Sequence, residues 1–316
     1  MSFHFYVIGA GSIGTRHFNN LTALGVDVTH LPWRGLDYDA LITSLTQAKG
    51  NAGVVIATAT KIRLPLIRDI AATGAALYIE KPLAYRATDV ATIFDLPIEI
   101  QHRSVAGFMM RYNPLIQHLA QHKMPNLFRA QFEIGHDVTQ WRQNWTFAGS
   151  YAADPDGGGV LLDLCHEIDL AMLLCDGLHL NAVTSVAHPE FDHVDIQSHL
   201  TLTSDAGTIS TVAMDYLAPK MIRRGSLVGL DHQYDYDLMT QRLTITTLGE
   251  HQQMTFPLDR NDMFMGIMAD FIALAQGHTP KNPIAPRLDS TRKVCHMIAQ
   301  AWESRHFSGT LKARLT

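Results

Sequence analysis

The sequence predicts two domains of mixed α/β structure: an N-terminal parallel sheet flanked by helices, and a C-terminal open, mostly antiparallel sheet that carries a few helices. Three observations predict this organisation. Residues 3–79 alternate continuous apolar runs with helical patterns, which is typical of strands buried on both faces. A glycine-rich turn joins the first apolar run to the first helix. From residue 127 onward, apolar and polar residues alternate, as they do in a sheet with one covered face.

Length and composition narrow the class of protein. The 316 residues, 47% of them hydrophobic, suffice for two cores, and we place the boundary after residue 118, giving domains 1–118 and 119–316. A net charge of −5 without any Lys/Arg run argues against a nucleic-acid partner. The sequence has no apolar stretch of roughly 18 residues that would predict a membrane span. Three scattered cysteines without a CxxC pair predict neither a disulfide framework nor a metal site, and we expect a cytoplasmic protein.

The first turn has the pattern of a Rossmann-type dinucleotide-binding site. The apolar run Phe3–Ile8 leads into Gly9-Ala10-Gly11-Ser12-Ile13-Gly14, and a helical pattern follows as far as Gly25. The first glycine permits a tight turn, the second lets the backbone approach a pyrophosphate, and the third lets helix and strand pack closely. The predicted cofactor contacts, at the positive end of the helix, are Gly9, Gly11, Ser12, Ile13 and Gly14. The alternative, a chance glycine-rich turn, is disfavoured by the strand and helix on either side.

The end of the second strand bears on the choice between NAD and NADP. In this fold an acidic residue about 20 positions beyond the glycines binds the adenosine ribose of NAD. After the predicted strand Val26–Leu31, the chain continues with Pro32-Trp33-Arg34 and has no carboxylate there. Arg34 would pair with the 2′-phosphate of NADP, and Trp33 would stack on adenine. We therefore expect NADP in preference to NAD. The alternative is a solvated loop arginine.

Later strands of the first domain supply further candidates at their carboxyl ends, where parallel sheets bind ligands. Thr58 follows the apolar run Gly53–Ala57, and Glu80-Lys81-Pro82 follows the predicted strand Ala75–Ile79. We expect Thr58, Glu80 and Lys81 to face the cofactor. A residue before proline is held extended, or the Lys81–Pro82 bond is cis. The alternative for Lys81 is a surface lysine in a turn.

The second domain begins with a change of pattern. Phe128, Ala130, Phe132 and Ile134 alternate with polar residues, which predicts a strand covered on one face. Further strands are predicted at 194–202, 208–215, 226–230 and 242–246, and amphipathic helices at 261–275 and 288–302.

A polar segment with aromatic residues precedes the next glycines. Trp141, Arg142 and Trp145 suit a hydroxylated or anionic substrate, because indole rings stack on sugar C–H surfaces and arginine binds carboxylates or phosphates. The alternative is aromatic packing of a long loop onto the body of the protein.

Three glycines, Gly157–Gly159, precede a predicted helix that begins at Asp163. Asp163, His166 and Glu167 fall on one face of it, close enough for hydrogen bonds. The opposite, apolar face comprises Leu164, Ile168, Ala171, Met172 and Cys175. A histidine oriented by a carboxylate exchanges protons at neutral pH, and Asp169 is an alternative partner for it. The competing interpretation is an ordinary amphipathic helix with a solvated polar face.

Four of these stretches together resemble the glucose–fructose oxidoreductase/inositol dehydrogenase (Gfo/Idh/MocA) family. Gly9–Gly14 is followed by Arg16-His17, and Glu80-Lys81-Pro82 is similar to the family's EKP. Residues 107–114 are similar to its GF..R.NP stretch, and residues 157–163 to the opening of its catalytic helix. The resemblance covers most of residues 1–175. It implies an NAD(P)-dependent oxidoreductase that moves a hydride to or from a hydroxyl-bearing carbon of a sugar, sugar acid, nucleotide sugar or cyclitol.

The resemblance also implies roles for individual residues. His166 would exchange the hydroxyl proton, Lys81 would stabilise developing negative charge, and Asp163 would orient His166. Arg111 would contact the substrate. The aspartate and histidine are three positions apart here, whereas the family usually spaces them by four, which weakens the assignment of Asp163. Sheets of this family pair with one another, so we expect a homodimer or homotetramer through the C-terminal sheet.

Two alternatives stay open. One is a non-catalytic regulator of the same fold that senses a dinucleotide or a sugar. The presence of both Lys81 and His166 argues against it, because a sensor needs no proton relay. The other is an epimerase or eliminase in which a tightly held cofactor oxidises and then re-reduces the substrate.

Overall fold

A computed structural model describes residues 3–140 and 146–315. They form two compact units, one running to Asn113 and including Asp259–His296, the other comprising Pro114–Leu258 and the chain from Met297 onward. The strands are β1 (His4–Ile8), β2 (Val28–Leu31), β3 (Ala52–Ile56), β4 (Ala76–Ile79), β5 (Val105–Ala106), β6 (Arg129–Gly135), β7 (Leu178–His188), β8 (Phe191–Ser204), β9 (Ile209–Asp215), β10 (Ile222–Val228), β11 (His232–Asp237), β12 (Arg242–Thr247), β13 (Glu250–Thr255) and β14 (His306–Thr310). The α-helices are α1 (Ser12–Ala23), α2 (Tyr38–Ala48), α3 (Arg63–Ala72), α4 (Ala87–Phe94), α5 (Ile98–Arg103), α6 (Pro114–Gln121), α7 (Val160–Asp163), α8 (His166–Leu174), α9 (Arg260–Ala275) and α10 (Arg292–Glu303).

The first unit is built on a parallel sheet in the order β2-β1-β3-β4-β5, which confirms the predicted fold class. Strands β3 and β4 are buried along their whole length, as strands of a sheet covered on both faces are. The chain order reverses between β1 and β3. In such sheets, ligands bind beyond the carboxyl ends of the strands at the reversal, which here places the glycine turn after β1 in that position.

Helix α9 belongs to the first unit, although it lies late in the chain. Its Phe271 packs against the rings of Phe5 and Tyr78, at centroid distances of 5.7 and 5.8 Å. The sequence prediction used a single boundary after residue 118 and grouped this helix with the second domain. Amphipathic spacing predicted the helix and its buried face, but the spacing says nothing about which sheet that face covers.

The second unit contains a nine-stranded sheet in the order β13-β12-β11-β10-β6-β9-β8-β7-β14. Strands β6 and β9, and likewise β7 and β14, pair parallel, and the other neighbours in the described chain pair antiparallel. The predicted open, mostly antiparallel sheet is therefore confirmed. The sequence prediction did not assign β7, β11, β13 or β14. Strand β13 is mostly exposed, so it has no apolar alternation to mark it.

One face of this sheet carries the core of the unit. Ala130, Phe132 and Ile134 are buried, and α8 lies against β6 and β9. Phe128 is 43% exposed, contrary to the predicted pattern, because β6 begins only at Arg129. Among the described helices, none combines the length and the hydropathy needed to cross a membrane.

Candidate functional site

The glycine turn between β1 and α1 requires glycine at two positions for reasons internal to the protein. Gly9 has a φ of +118°, and a Cβ atom there would lie 2.6 Å from the carbonyl oxygen of Ala57. A Cβ atom on Gly14 would overlap the carbonyl group of Gly9. The turn and the close approach of α1 to the sheet therefore depend on these two residues.

Gly11 differs from both. It has a φ of −74°, which other residues adopt easily, and a Cβ atom there would meet no described atom within 4 Å. Gly11 also precedes the first turn of α1, which has no side-chain cap from the described residues and contains no acidic residue. A helix N-terminus in this condition favours an anion. Gly11 and the amides of Ser12 and Ile13 therefore fit the pyrophosphate of a dinucleotide.

The predicted specificity residues follow β2 at its carboxyl end. Trp33 is 40% exposed, and Arg34 is exposed beside it. The turn Pro32–Gly35 contains no carboxylate, and Arg34 is its one charged residue. That arrangement is compatible with a 2′-phosphate partner for Arg34 and equally with a solvated side chain.

Thr58 lies at the carboxyl end of β3. Its hydroxyl group is buried and has no hydrogen-bond partner in the part of the chain that the structure describes. Buried hydroxyl groups nearly always have a partner, so Thr58 Oγ1 fits a contact with a bound cofactor.

The turn Glu80-Lys81-Pro82 follows β4 and has the cis Lys81–Pro82 bond that was one of the two expectations. Glu80 is only 6% exposed, and both of its carboxylate oxygens are engaged by the protein. Oε1 accepts a hydrogen bond from His17 Nε2 at 2.6 Å, and Oε2 accepts one from the backbone N–H of Lys81 at 3.1 Å. Burial alone would raise the pKa of Glu80, but the hydrogen bond from His17 and the nearby charges of Lys81 and Arg63 together lower it.

Arg63, which the sequence analysis did not single out, holds the same turn. Its buried guanidinium donates to the carbonyl oxygens of Glu80 and Pro82, both at 2.5 Å, and to that of Thr58. Gly107 lies against the turn as well, since a Cβ atom there would be 3.0 Å from the Lys81 nitrogen. An arginine at a helix start is usually solvated, so no local signal marks this role.

Arg111, a predicted substrate contact, belongs to the first unit and lies in the short 3₁₀ helix Met109–Tyr112. It is buried, with its guanidinium carbon 5.8 Å from the centre of the Phe108 ring. Its carbonyl oxygen accepts a hydrogen bond from Asn282 Nδ2 at 2.9 Å. These contacts fix the backbone at Arg111, and its contact with substrate remains a prediction.

In the second unit, the last of the three glycines before α7 packs against a buried carboxylate. Gly159 has a φ of +95°, and a Cβ atom there would overlap the carboxylate of Asp195 from β8. Asp195 accepts hydrogen bonds from the Leu161 N–H and from Ser198 Oγ, each at 2.8 Å, and forms an ion pair with Arg305. The Asp195 carboxylate therefore provides the hydrogen-bond acceptor and the negative charge that the N-terminus of α7 favours.

The helix predicted from Asp163 is two helices, because α7 ends at Asp163 and α8 begins at His166. The interpretation as a solvated polar face is wrong, since Asp163, His166, Glu167 and Asp169 are all buried. Glu167 forms a bidentate ion pair with Arg223 of β10, at 2.6 and 3.1 Å, which compensates for its burial. Periodicity identified the apolar face, but it could not show that the polar face is also covered.

Asp163 is held by two tyrosines. Its Oδ1 accepts a hydrogen bond from Tyr151 at 2.8 Å, and its Oδ2 accepts one from Tyr216 at 3.0 Å. Burial, together with the charge of Asp163, raises the pKa of Tyr216 well above its ordinary value, so this hydroxyl stays protonated and remains a donor. The predicted role of Asp163 in orienting His166 stays a prediction, and the two tyrosines are partners that no motif in the sequence marks.

His136 lies close to this group, with its ring 5.9 Å from that of Tyr216. Burial lowers its pKa, an effect that the charge of Asp163 partly offsets. The one sequence signal at this position is a histidine two residues after Ile134, where the predicted strand ends, and such histidines are common.

The predicted residues thus fall into two groups. Gly9–Gly14, Thr58, Glu80 and Lys81 lie at carboxyl ends of strands in the first sheet, whereas Asp163 and His166 belong to the second unit. The predicted substrate contacts Trp141, Arg142 and Trp145 lie outside the described residues.

Comparison of the sequence with models of protein families finds no match, and comparison with curated proteins finds none either. Solved structures do match. UDP-N-acetylglucosamine 3-dehydrogenase from Acidithiobacillus ferrooxidans superimposes with a TM-score of 0.76 at 17% identity, covering 96% of this chain and 98% of that one. A levoglucosan dehydrogenase in complex with NADH gives 0.76 at 14%, covering 96% of each chain. An inositol dehydrogenase homolog complexed with NAD⁺, from Azotobacter vinelandii, gives 0.77 at 12%, again covering 96% of each. The chain has the fold of these oxidoreductases, as the resemblance predicted.

Proposed function

We propose that this protein is an oxidoreductase that uses a nicotinamide dinucleotide to move a hydride to or from a hydroxyl-bearing carbon of a sugar-like substrate. The observation that carries the proposal is the position of Gly11, which faces open space at the uncapped start of α1. The buried hydroxyl of Thr58 adds support. So do the structures of like fold, which are named as dehydrogenases of a nucleotide sugar and an anhydrosugar and as a homolog of a cyclitol dehydrogenase.

The dinucleotide would be bound through its pyrophosphate by the amides of Gly11, Ser12 and Ile13, with Thr58 as a further contact. When bound, it accepts or donates the hydride. Two of the similar structures contain NADH or NAD⁺, which supports NAD. The exposed Arg34, in a turn that contains no carboxylate, supports NADP, and we propose NADP as the preferred cofactor.

The proton that accompanies the hydride needs a separate donor or acceptor. We assign this role to His166, because imidazole is the side chain suited to exchanging protons near neutral pH. Lys81 would stabilise negative charge on the substrate oxygen, and the firmly held carboxylate of Asp163 would orient His166. Arg111, Trp141, Arg142 and Trp145 remain the proposed substrate contacts.

The second sheet supports the expected homo-oligomer. On its open face, Glu133, Arg224, Asp237 and Arg242 stand opposite one another on four neighbouring strands, so that negative and positive charges alternate. A two-fold axis parallel to the strands would place each charge opposite its counter-charge on a second copy. We propose a homodimer or homotetramer through this face.

Light scattering should show the assembly in wild type and a smaller species for Arg242→Glu. A monomeric wild type would contradict the proposal.

The catalytic proposal is tested by turnover with NADP and NAD on levoglucosan, inositol, UDP-N-acetylglucosamine and a panel of sugar acids. His166→Ala and Lys81→Ala should each reduce turnover by roughly 10²–10⁴-fold, the usual contribution of acid–base catalysis. The double variant should lose less than the product of the two, because the residues act as a unit. The exposed His179 and Lys123 provide matched controls, and their alanine variants should keep wild-type rates.

Three results would redirect the assignment. Dinucleotide binding without turnover on any panel member would favour the sensing regulator. A cofactor that copurifies and is not exchanged would favour the epimerase or eliminase. Wild-type turnover in His166→Ala would remove this residue from the mechanism.

A further inference from the structure

His17 is a buried titratable residue that the proposed mechanism does not use. It lies on α1, three positions after Gly14, and none of its surface is exposed. Its ring packs 4.8 Å from the ring of Tyr78 and 6.1 Å from that of Phe264. An apolar side chain would fill this space without the cost of burying a polar group. The presence of histidine therefore calls for an explanation in terms of its hydrogen bond.

That hydrogen bond leads to Lys81 in two steps. His17 Nε2 donates to Glu80 Oε1 at 2.6 Å, and Glu80 Oε2 accepts the backbone N–H of Lys81 at 3.1 Å. The hydroxyl of Tyr78 is 3.4 Å from the same Oε1. The Glu80 carboxylate is thus fixed from α1 on one side, and it fixes the backbone of Lys81 on the other.

Arg63 and Gly107 also contact this turn, and they act on different atoms. Arg63 binds the carbonyl oxygens of Glu80 and Pro82, and Gly107 only leaves room for the Lys81 nitrogen. Glu80 Oε2 accepts the hydrogen bond from the Lys81 N–H. His17 donates to the other carboxylate oxygen, Oε1.

We propose that His17 is a positioning residue for Lys81, acting through the Glu80 carboxylate. One helix then sets two parts of the site. Its N-terminus presents the amides that follow Gly11, and His17, a buried residue further along the helix, sets the turn that carries Lys81. The proposal rests on the proposed function, in which Lys81 stabilises charge on the substrate oxygen.

The kinetic test compares His17→Ala, His17→Gln and Leu21→Ala. Leu21 is a fully buried residue of the same helix and controls for lost packing. His17→Ala should lower kcat by about 10–100-fold, as loss of an orienting partner does, with the KM for the dinucleotide changed less than about threefold. His17→Gln, whose amide can donate to Glu80, should recover most of the loss. Leu21→Ala should lower stability while keeping kcat within about threefold of wild type.

Equal kcat losses in His17→Ala and Leu21→Ala would overturn the proposal, as would a His17→Gln variant no better than His17→Ala. A second measurement does not depend on turnover. Amide hydrogen exchange in the peptide spanning residues 78–84 should accelerate in His17→Ala, relative to the peptide of β3, and return to the wild-type rate in His17→Gln. Unchanged exchange overturns the positioning role. The predicted exchange pattern in a protein that turns over no substrate would instead refute the proposed function alone.

Discussion

The two glycine-rich turns of this protein precede helices in the same way, yet they need glycine for different reasons. At Gly11 an added Cβ atom would meet nothing in the described chain. At Gly159 it would overlap the carboxylate of Asp195, and at Gly158 it would overlap the carbonyl oxygens of Tyr151 and Asp154. The first turn leaves space beside a helix start, whereas the second fills that space with protein.

The two turns also differ in how the charge at the helix start is balanced. Helix α1 begins without a side-chain cap from the described residues, whereas the Leu161 N–H in the first turn of α7 donates to Asp195. Helix N-termini favour negative charge. In the second turn the protein supplies that charge. In the first turn no described side chain does, which is why we propose that a ligand binds there. The same glycine-rich signal thus accompanies a proposed binding site in one case and a packing contact in the other.

The largest effect is expected from Gly159→Ala. The substitution forces a side chain into left-handed backbone at φ +95° and against a buried carboxylate. We expect a loss of more than about 4 kcal/mol of unfolding free energy or failure to fold, measured by chemical denaturation. Gly207→Ala is the matched control, since Gly207 has φ +90° but no neighbour within 4 Å. It should lose only about 1–2 kcal/mol, the cost of the backbone conformation. Equal losses would show that contact with Asp195 is unimportant.

Asp195→Asn tests the charge that satisfies the second turn. It removes the negative charge that pairs with Arg305, whose side chain is only 7% exposed, and we expect a loss of about 3–5 kcal/mol in unfolding free energy. The exposed pair formed by Lys123 and Asp176 is the control, and Asp176→Asn should cost less than about 1 kcal/mol. An Asp195→Asn variant with the unfolding free energy of wild type would mean that the hydrogen bonds alone hold the turn.

Gly11→Val tests the space at the first turn. Because no described atom lies within 4 Å, unfolding free energy should change by less than about 0.5 kcal/mol. Affinity for NADH and NADPH, measured by calorimetry, should fall on the order of 100-fold, which corresponds to about 2.7 kcal/mol. Gly309→Val, at another glycine with open surroundings, should change neither quantity. Retained affinity in Gly11→Val would show that the pyrophosphate binds elsewhere.

The smallest effect is expected at Arg34, the residue that we propose binds the 2′-phosphate of NADP. Arg34→Ala should weaken NADP binding by about 1.5–3 kcal/mol, the contribution of one charge-assisted hydrogen bond, and leave NAD binding nearly unchanged. Arg68→Ala, at an exposed arginine of α3, should affect neither cofactor. Equal losses for the two cofactors, or a wild type that prefers NAD, would remove the argument for NADP.

Local rules account for what was predicted correctly. The strand–glycine–helix start of the first unit, its parallel sheet, the alternating strand β6 and the helix α9 follow from chain periodicity and the conformational freedom of glycine. These properties act over a few residues, so sequence alone reveals them. The residues of the candidate site were proposed from motifs at the ends of such elements, and their roles stay predictions.

Partners of buried polar groups were decided by the tertiary structure. Glu80 meets His17, 63 positions away, and Asp163 meets Tyr216, 53 positions away. The Asp195 that satisfies α7 lies 34 positions beyond Leu161. A hydrophobic pattern shows which face of a helix is covered, but a buried charge is compensated by whatever donor the fold brings to it. That choice depends on how distant segments pack, and no local pattern encodes it.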